Sequence, residues 1–186
     1  MYVNREQSPK PEGGGSLSQE AIDRAFANAP RVSNYVYGFR KTEIILLNGK
    51  STGNHGVISS DGKLGSGIQV TSLERTLVDM AVRPAYAGGS QMVLSAFLAA
   101  RDRISAPDIV TALKALKHIY PYHQAVGFYL ERAGLSAAAI APLKNFRIDF
   151  DFYLANQLTE RALDPNWRVF YPKELDRAKR PTRKRS

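Results

Sequence analysis

Residues 67–82, GIQVTSLERTLVDMAV, change their hydrophobic period in mid-stretch. Up to Thr71 the chain reads as a strand. From Ser72 the apolar side chains fall at Leu73, Leu77, Met80 and Ala81, the i, i+4, i+7, i+8 spacing of one helical face. Thr71 and Glu74 have capping-box spacing and set the expected helix start. Upstream of this switch, residues 32–71 are rich in strand formers. VSNYVYGF and TEIILLN flank Arg40 and Lys41 as a hairpin, and GVIS and GIQVT flank a turn at Asp61-Gly62. Links this short exclude parallel crossovers between these runs, so an antiparallel meander is expected. YVNR at 2–5 reads as one more short strand, and residues 6–16 as a Pro- and Gly-rich loop. A helix then follows, with Ser16 and Gln19 at capping-box spacing and Ile22 and Phe26 on one face, ending before Pro30.

Downstream, Pro84 and Gly88-Gly89 close the 72–82 helix, and Ser90 is the expected cap of the next, whose stripe is Val93, Ala96, Phe97 and Ala100. Ser105 and Asp108 repeat the capping spacing ahead of Ile109, Leu113 and Leu116. Pro121 opens a fourth helix of this run, with Tyr122, Val126, Tyr129 and Leu130 inward and Gly134 as its stop. A short alanine-rich helix is expected at 137–141. Residues 147–153, RIDFDFY, alternate like a half-buried strand, and 167–171, WRVFY, read as the last strand. The sum is an α+β fold: an antiparallel or mixed sheet, a run of four to five helices packed on it, and final strands returning to that sheet. One domain over 1–176 is followed by a disordered basic tail, 177–186.

The 186 residues suit one domain with a core large enough to need no staple. Cysteine is absent, which excludes disulfides, thiolate zinc sites and cysteine nucleophiles. No apolar run approaches the ~18 residues of a membrane span, and no signal-peptide core opens the chain, so a cytoplasmic protein is expected. The net charge is +9, and RAKRPTRKRS at 177–186 holds six basic residues and no acid.

Candidate chemistry is sparse. Asp149 and Asp151 form a DxD pair whose alternation would put both carboxylates on one strand face, as two-metal phosphoryl transfer requires. The competing reading is the polar side of an edge strand whose Phe150 and Phe152 enter the core. His118 and His123 are five apart, a poor spacing for two ligands on one helix, and His55 sits in a loop without an acidic neighbour. Arg75 and Asp79 make an i, i+4 pair, read as a partly buried arginine tying its helix to a neighbouring carbonyl or acid. Gly13-Gly14-Gly15 and Asn48-Gly49-Lys50-Ser51 lack the full phosphate-loop pattern and read as turns. Tyr120, Tyr122, Phe128 and Tyr129 recur at helical spacing, as core or as a binding groove, and Gly127 among them points to close approach of a neighbour. No catalytic residue, metal ligand or cofactor is assigned.

TSLERTLVDMAVRPAYAGG, followed by IYPYHQAVGFYLERAG, FDFYL and WRVFYP, resembles the AbiEi family of bacterial antitoxins from type IV toxin–antitoxin and abortive-infection systems. The resemblance covers about residues 1–172 and matches the family's C-terminal antitoxin domain. It lacks the N-terminal winged helix that typical members carry. It implies a non-enzymatic antitoxin that counters a co-encoded nucleotidyltransferase-like toxin, by binding the toxin or by acting on its cellular target. It also implies structural roles for Glu74, Arg75, Asp79, His123, Gln124 and Gly127. Many members repress their own operon, a role that belongs to the winged helix. Two alternatives stand beside this reading: a DNA-binding regulator, and a metal-dependent nucleotidyltransferase or nuclease using Asp149 and Asp151.

The tail's basic residues, Arg177, Lys179, Arg180, Arg183, Lys184 and Arg185, are the expected DNA contacts. Six cations neutralise at most about six phosphates, which gives a log–log salt slope of about −5 on duplex DNA. Deleting 177–186 is expected to remove most duplex affinity, measured by salt-series titration, while toxin neutralisation persists.

Overall fold

The computed structural model describes residues 1–8, 16–60 and 66–177. The Gly13-Gly14-Gly15 run, the Asp61-Gly62 turn and the tail from residue 178 onward lie outside the described residues, as does the side chain of Arg177. The elements in chain order are β1 (Tyr2–Glu6), α1 (Gln19–Ala27), β2 (Val36–Phe39), β3 (Thr42–Gly49), β4 (Val57–Ser60), β5 (Ile68–Thr71), α2 (Leu73–Val82), α3 (Ser90–Ala100), α4 (Ala106–Leu116), α5 (Tyr122–Arg132), α6 (Ala137–Ile140), β6 (Phe152–Tyr153), β7 (Arg161–Asp164) and β8 (Val169–Pro172). The fold is α+β, as the periodicity predicts. No helix among the described residues is long and apolar enough to cross a membrane.

The sheet is not one sheet. β1, β3 and β2 form a three-stranded unit in that order, β4 and β5 a separate hairpin, and β6, β8 and β7 a third unit. The expected meander fails at β3 for a simple reason: both of its edges are occupied. β2 pairs with it antiparallel through the Arg40-Lys41 turn, and β1 pairs with it parallel, Tyr2 to Ile45 through Glu6 to Gly49. No edge is left for β4. The two parallel pairs, β1–β3 and β6–β8, are joined through long connections, as parallel pairing demands. The final strands do not return to the first sheet, because Phe152, Val169 and Tyr171 are buried in the helical core instead.

Two further expectations about strands are corrected. RIDFDFY is regular only at its end, where β6 begins at Phe152. RALD at 161–164 forms β7, paired antiparallel with β8, although its sequence carries no strand signature. Trp167 and Arg168, read as strand, lie in the intervening turn, with Arg168 at φ 49.

The helices follow their apolar stripes, but three caps shift. α1 is capped by Ser18, whose hydroxyl accepts from the Ala21 amide, rather than by Ser16. α2 is capped by Ser72, which accepts from the Arg75 amide at 3.3 Å. Thr71 is the last residue of β5, and its hydroxyl lies 2.6 Å from that of Thr76 instead. α3 starts with Ser90 itself, after Gly89 at φ 89. Ser105 caps α4 as expected.

One core joins all six helices to the third sheet. Ile22, Leu77, Val78, Val93, Phe97, Ile109, Leu116, Val126, Leu130, Ile140, Phe152, Trp167 and Val169 all belong to it. Among the described side chains, none from β1, β2 or β3 does. The first sheet is therefore attached to the helical body by means other than the common core.

Leu77, 2% exposed, sits in the middle of the α2 stripe. Leu77→Ala is expected to destabilise the fold by about 2–5 kcal/mol through the cavity it opens, measured by urea denaturation. An unchanged midpoint would assign α2 the wrong inner face.

Candidate functional site

The polar residues singled out in α2 and α5 build two joints. The first centres on Arg75, only 5% exposed. Its Nε donates to Asp79 Oδ2 at 2.9 Å, and its Nη1 donates to the His55 carbonyl and to Thr52 Oγ1. Glu6, at the end of β1, accepts from the amide and hydroxyl of Thr52. One buried guanidinium thus links α2 to the 52–55 loop, and through Thr52 to the first sheet. Gly56, at φ 69, brings the loop against the arginine stem. Burial pushes the Asp79 carboxyl above its ordinary range, against the pull of the Arg75 charge. Glu74, one residue earlier, accepts from the Ser105 amide at 3.2 Å and holds the start of α4.

The second joint centres on Gln124, fully buried in α5. Its Nε2 donates to the carbonyls of Phe150 at 2.9 Å and Trp167 at 2.7 Å, with Arg168 O at 3.3 Å. Three carbonyl acceptors fix which end of the amide faces them. Trp167, also fully buried, packs on Gly127 so closely that an added Cβ would lie 2.3 Å from its ring. Its Nε1 donates to Glu131 Oε2 at 2.6 Å, its amide donates to Asp164, and Lys144 Nζ sits 3.6 Å from the ring centroid. The glycine of α5 is therefore the floor of the tryptophan site.

A groove of about 680 Å3 runs between the end of α1, the end of α2 and the 154–156 segment, lined by Phe26, Pro30, Arg31, Tyr120, Tyr122 and Asn156 among others. Of the aromatic run, Phe128 and Tyr129 are core, whereas Tyr120 and Tyr122 divide between core and groove wall. Burial pushes the Tyr122 hydroxyl up to about 12, so it is a neutral donor rather than a base.

The two carboxylates of the DxD pair are each engaged by a cation of the protein. Both aspartates precede β6, and each meets a different arginine: Asp149 with Arg147 at 3.2 Å, Asp151 with Arg168 at 2.8 Å. Phe152 is buried and Phe150 packs against the core, the inward half of the alternation. Among the described residues no three His, Asp or Glu side chains gather as metal ligands. His123 contacts the Arg147 carbonyl at 3.1 Å and stacks on Phe146. Lys50 donates to the Lys117 carbonyl, and Gly49 lies against the Asn4 side chain, so this turn is occupied by the protein itself.

Other residues matter that their sequence context does not disclose. Gln19, read as a capping partner, bonds both the amide and the carbonyl of Asp151, at 2.8 and 3.0 Å, like a one-residue strand pairing. Tyr153 Oη donates to Asp23, and Asn156 donates to the carbonyls of Ala25 and Asn28. A helical glutamine or a loop asparagine carries no sign of such a partner more than a hundred residues away. Comparison with protein-family models, with curated proteins and with solved structures finds no match.

Two measurements test this geometry. Gly127→Ala is expected to lower stability by about 1–3 kcal/mol, because the clamped indole cannot yield. Alanine would otherwise favour a helix by about 1 kcal/mol, so a raised melting temperature would refute the close contact. His118 is held down at about 4 by burial, with Lys50, Arg75 and Arg83 adding repulsion. Its folded-state value lies below the ordinary 6.5, so the unfolded chain takes up the proton first. The stability owed to neutral His118 is whole above about 6.5 and is lost as pH falls towards about 4. Asp79 works in the opposite sense. In His118→Gln, urea midpoints at pH 7 and pH 4.5 should differ less than in the parent chain.

Proposed function

We propose that this chain is an antitoxin domain of the AbiEi type, which counters a nucleotidyltransferase-like toxin in the cytoplasm and performs no catalysis of its own. The observation that carries the reading is where the resembling blocks lie. TSLERTLVDMAVRPAYAGG covers α2 and the turn after it, IYPYHQAVGFYLERAG covers α5, and the polar residues in them serve the framework. Arg75, Asp79 and Glu74 tie α2 to the 52–55 loop and to α4, while Gln124 and Gly127 seat the tryptophan turn. A motif made of framework joints suits a protein that acts through its surface. The reading built on Asp149 and Asp151 draws no support from their separate pairing with arginines. The regulator reading keeps one argument, the six basic residues of 177–186.

The test is growth of cells expressing the toxin encoded beside this chain, with and without the chain. Growth should be restored by the parent and by Asp149→Asn/Asp151→Asn, and lost with Leu77→Ala. Toxicity unrelieved by the parent chain would sink the antitoxin reading. Loss of rescue in the double aspartate variant, at unchanged stability, would revive the enzymatic one.

A further inference from the structure

The first sheet has one face that the protein leaves uncovered. In the β1-β3-β2 register, Tyr35, Tyr37 and Phe39 share a side with Thr42, Ile44 and Leu46 of β3 and with Val3 and Arg5 of β1. The Leu46 amide donates to the Tyr35 carbonyl, which extends the pairing to Tyr35. The three rings are 58%, 57% and 58% exposed, and Val3 is 44% exposed. Burying the exposed part of these rings would be favourable, and nothing in the fold collects it.

Among the described residues, the charges that strand alternation and the β2–β3 turn place on this face have one sign. Arg5 lies on it, exposed, and Arg40 and Lys41 form its rim at the turn. The Arg40 guanidinium stands 5.4 Å from the Phe39 ring centroid. Glu6 and Glu43 fall on the opposite side by strand alternation. Among the described residues no salt bridge involves Arg5, Arg40 or Lys41.

We propose that this face binds single-stranded nucleic acid, its bases stacking on Tyr35, Tyr37 and Phe39 and its phosphates meeting Arg5, Arg40 and Lys41. Alternate residues of a strand stand roughly 6.5 Å apart, so the rings form a ladder that an extended single strand can follow base by base. Stacking on aromatic side chains needs unpaired bases, and a flat sheet face offers no element to enter a duplex groove. The uniformly cationic rim separates this occupant from a protein partner, whose contact would be fringed by both signs. The inference is independent of the antitoxin reading and assigns the chain a ligand that the resemblance does not.

The test is fluorescence anisotropy of the full chain with labelled ten-nucleotide oligouridine, oligothymidine and a duplex of equal length. Single strands should bind more tightly than the duplex. Equal affinity for the two single strands would mean stacking alone, and preference for oligouridine would add a contact to the 2′-hydroxyl; both support the site. Tyr37→Ala and Phe39→Ala should each weaken single-strand binding roughly 5- to 100-fold, while Tyr37→Phe keeps it. These side chains lie outside the common core, so the variants should keep the parent melting temperature. Arg5→Ala and Arg40→Ala should flatten the salt dependence. The proposal is overturned by absent single-strand binding, by aromatic variants that bind single strands as the parent does, or by Tyr37→Ala and Phe39→Ala weakening duplex binding as much as single-strand binding. It is overturned too if Tyr37→Ala changes only vesicle binding or only the oligomeric state seen by light scattering.

Discussion

The buried amide of Gln124 is the constraint on which the C-terminal half depends. The amide nitrogen, removed from water, finds its partners inside, in backbone carbonyls ahead of β6 and of β8, while Oε1 is buried with no partner among the described residues. That choice fixes the height of α5 above the third sheet. It also fixes the turn that delivers Trp167 onto Gly127, and the turn in turn orients Arg168 towards Asp151. Core packing alone would tolerate small slides of α5. Directional hydrogen bonds do not, so one amide converts an apolar contact into a register.

The first sheet is held on different terms. Among the described side chains none of its residues joins the common core, although Leu47 of β3 is itself buried, and its hydrogen bonds towards the body run from Glu6 to Thr52, Thr52 to Arg75, the Ser33 amide to Tyr86 Oη at 2.6 Å, and Lys50 to the Lys117 carbonyl. Such attachment is directional but contributes modestly per bond, about 0.5–1.5 kcal/mol for a neutral pair such as Ser33–Tyr86 and about 1.5–3 kcal/mol at most where one partner is charged. The sheet is thereby positioned without being submerged, and its aromatic side remains available to solvent.

How far the sequence could be read follows from which interactions are local. Helix positions were legible at Leu77, Phe97, Ile109 and Val126 because a 3.6 period is written within a dozen residues. Caps were less so, since Thr71 and Ser72 differ as candidates only through the strand that claims Thr71. Sheet membership was not legible. β3 chooses β1 from forty residues upstream, and RALD becomes a strand because β8 offers it an edge. The joints were half legible: Arg75 and Asp79 advertise their pairing at i, i+4, and Gly127 advertises a close neighbour. Nothing in the letters says that the neighbour is Trp167, or that Gln19 will pair with the backbone at Asp151. The alternating rings of 35, 37 and 39 read as a strand, and only the assembled sheet shows which side stays wet.

The seam between α1 and the 151–156 segment has a consequence for how the molecule is made. Gln19 and Asp151 are separated by 132 positions, so during synthesis α1 emerges long before the backbone it docks on. At ribosomal rates of about 5–20 residues per second, Ile22 and Phe26 wait many seconds for their cover. The nascent chain must carry that uncovered helix until Trp167 has also left the exit tunnel, since the tryptophan closes the same core. Messages that end a few codons before it would release a chain with every helix present and its core still open, a natural substrate for chaperones and proteases.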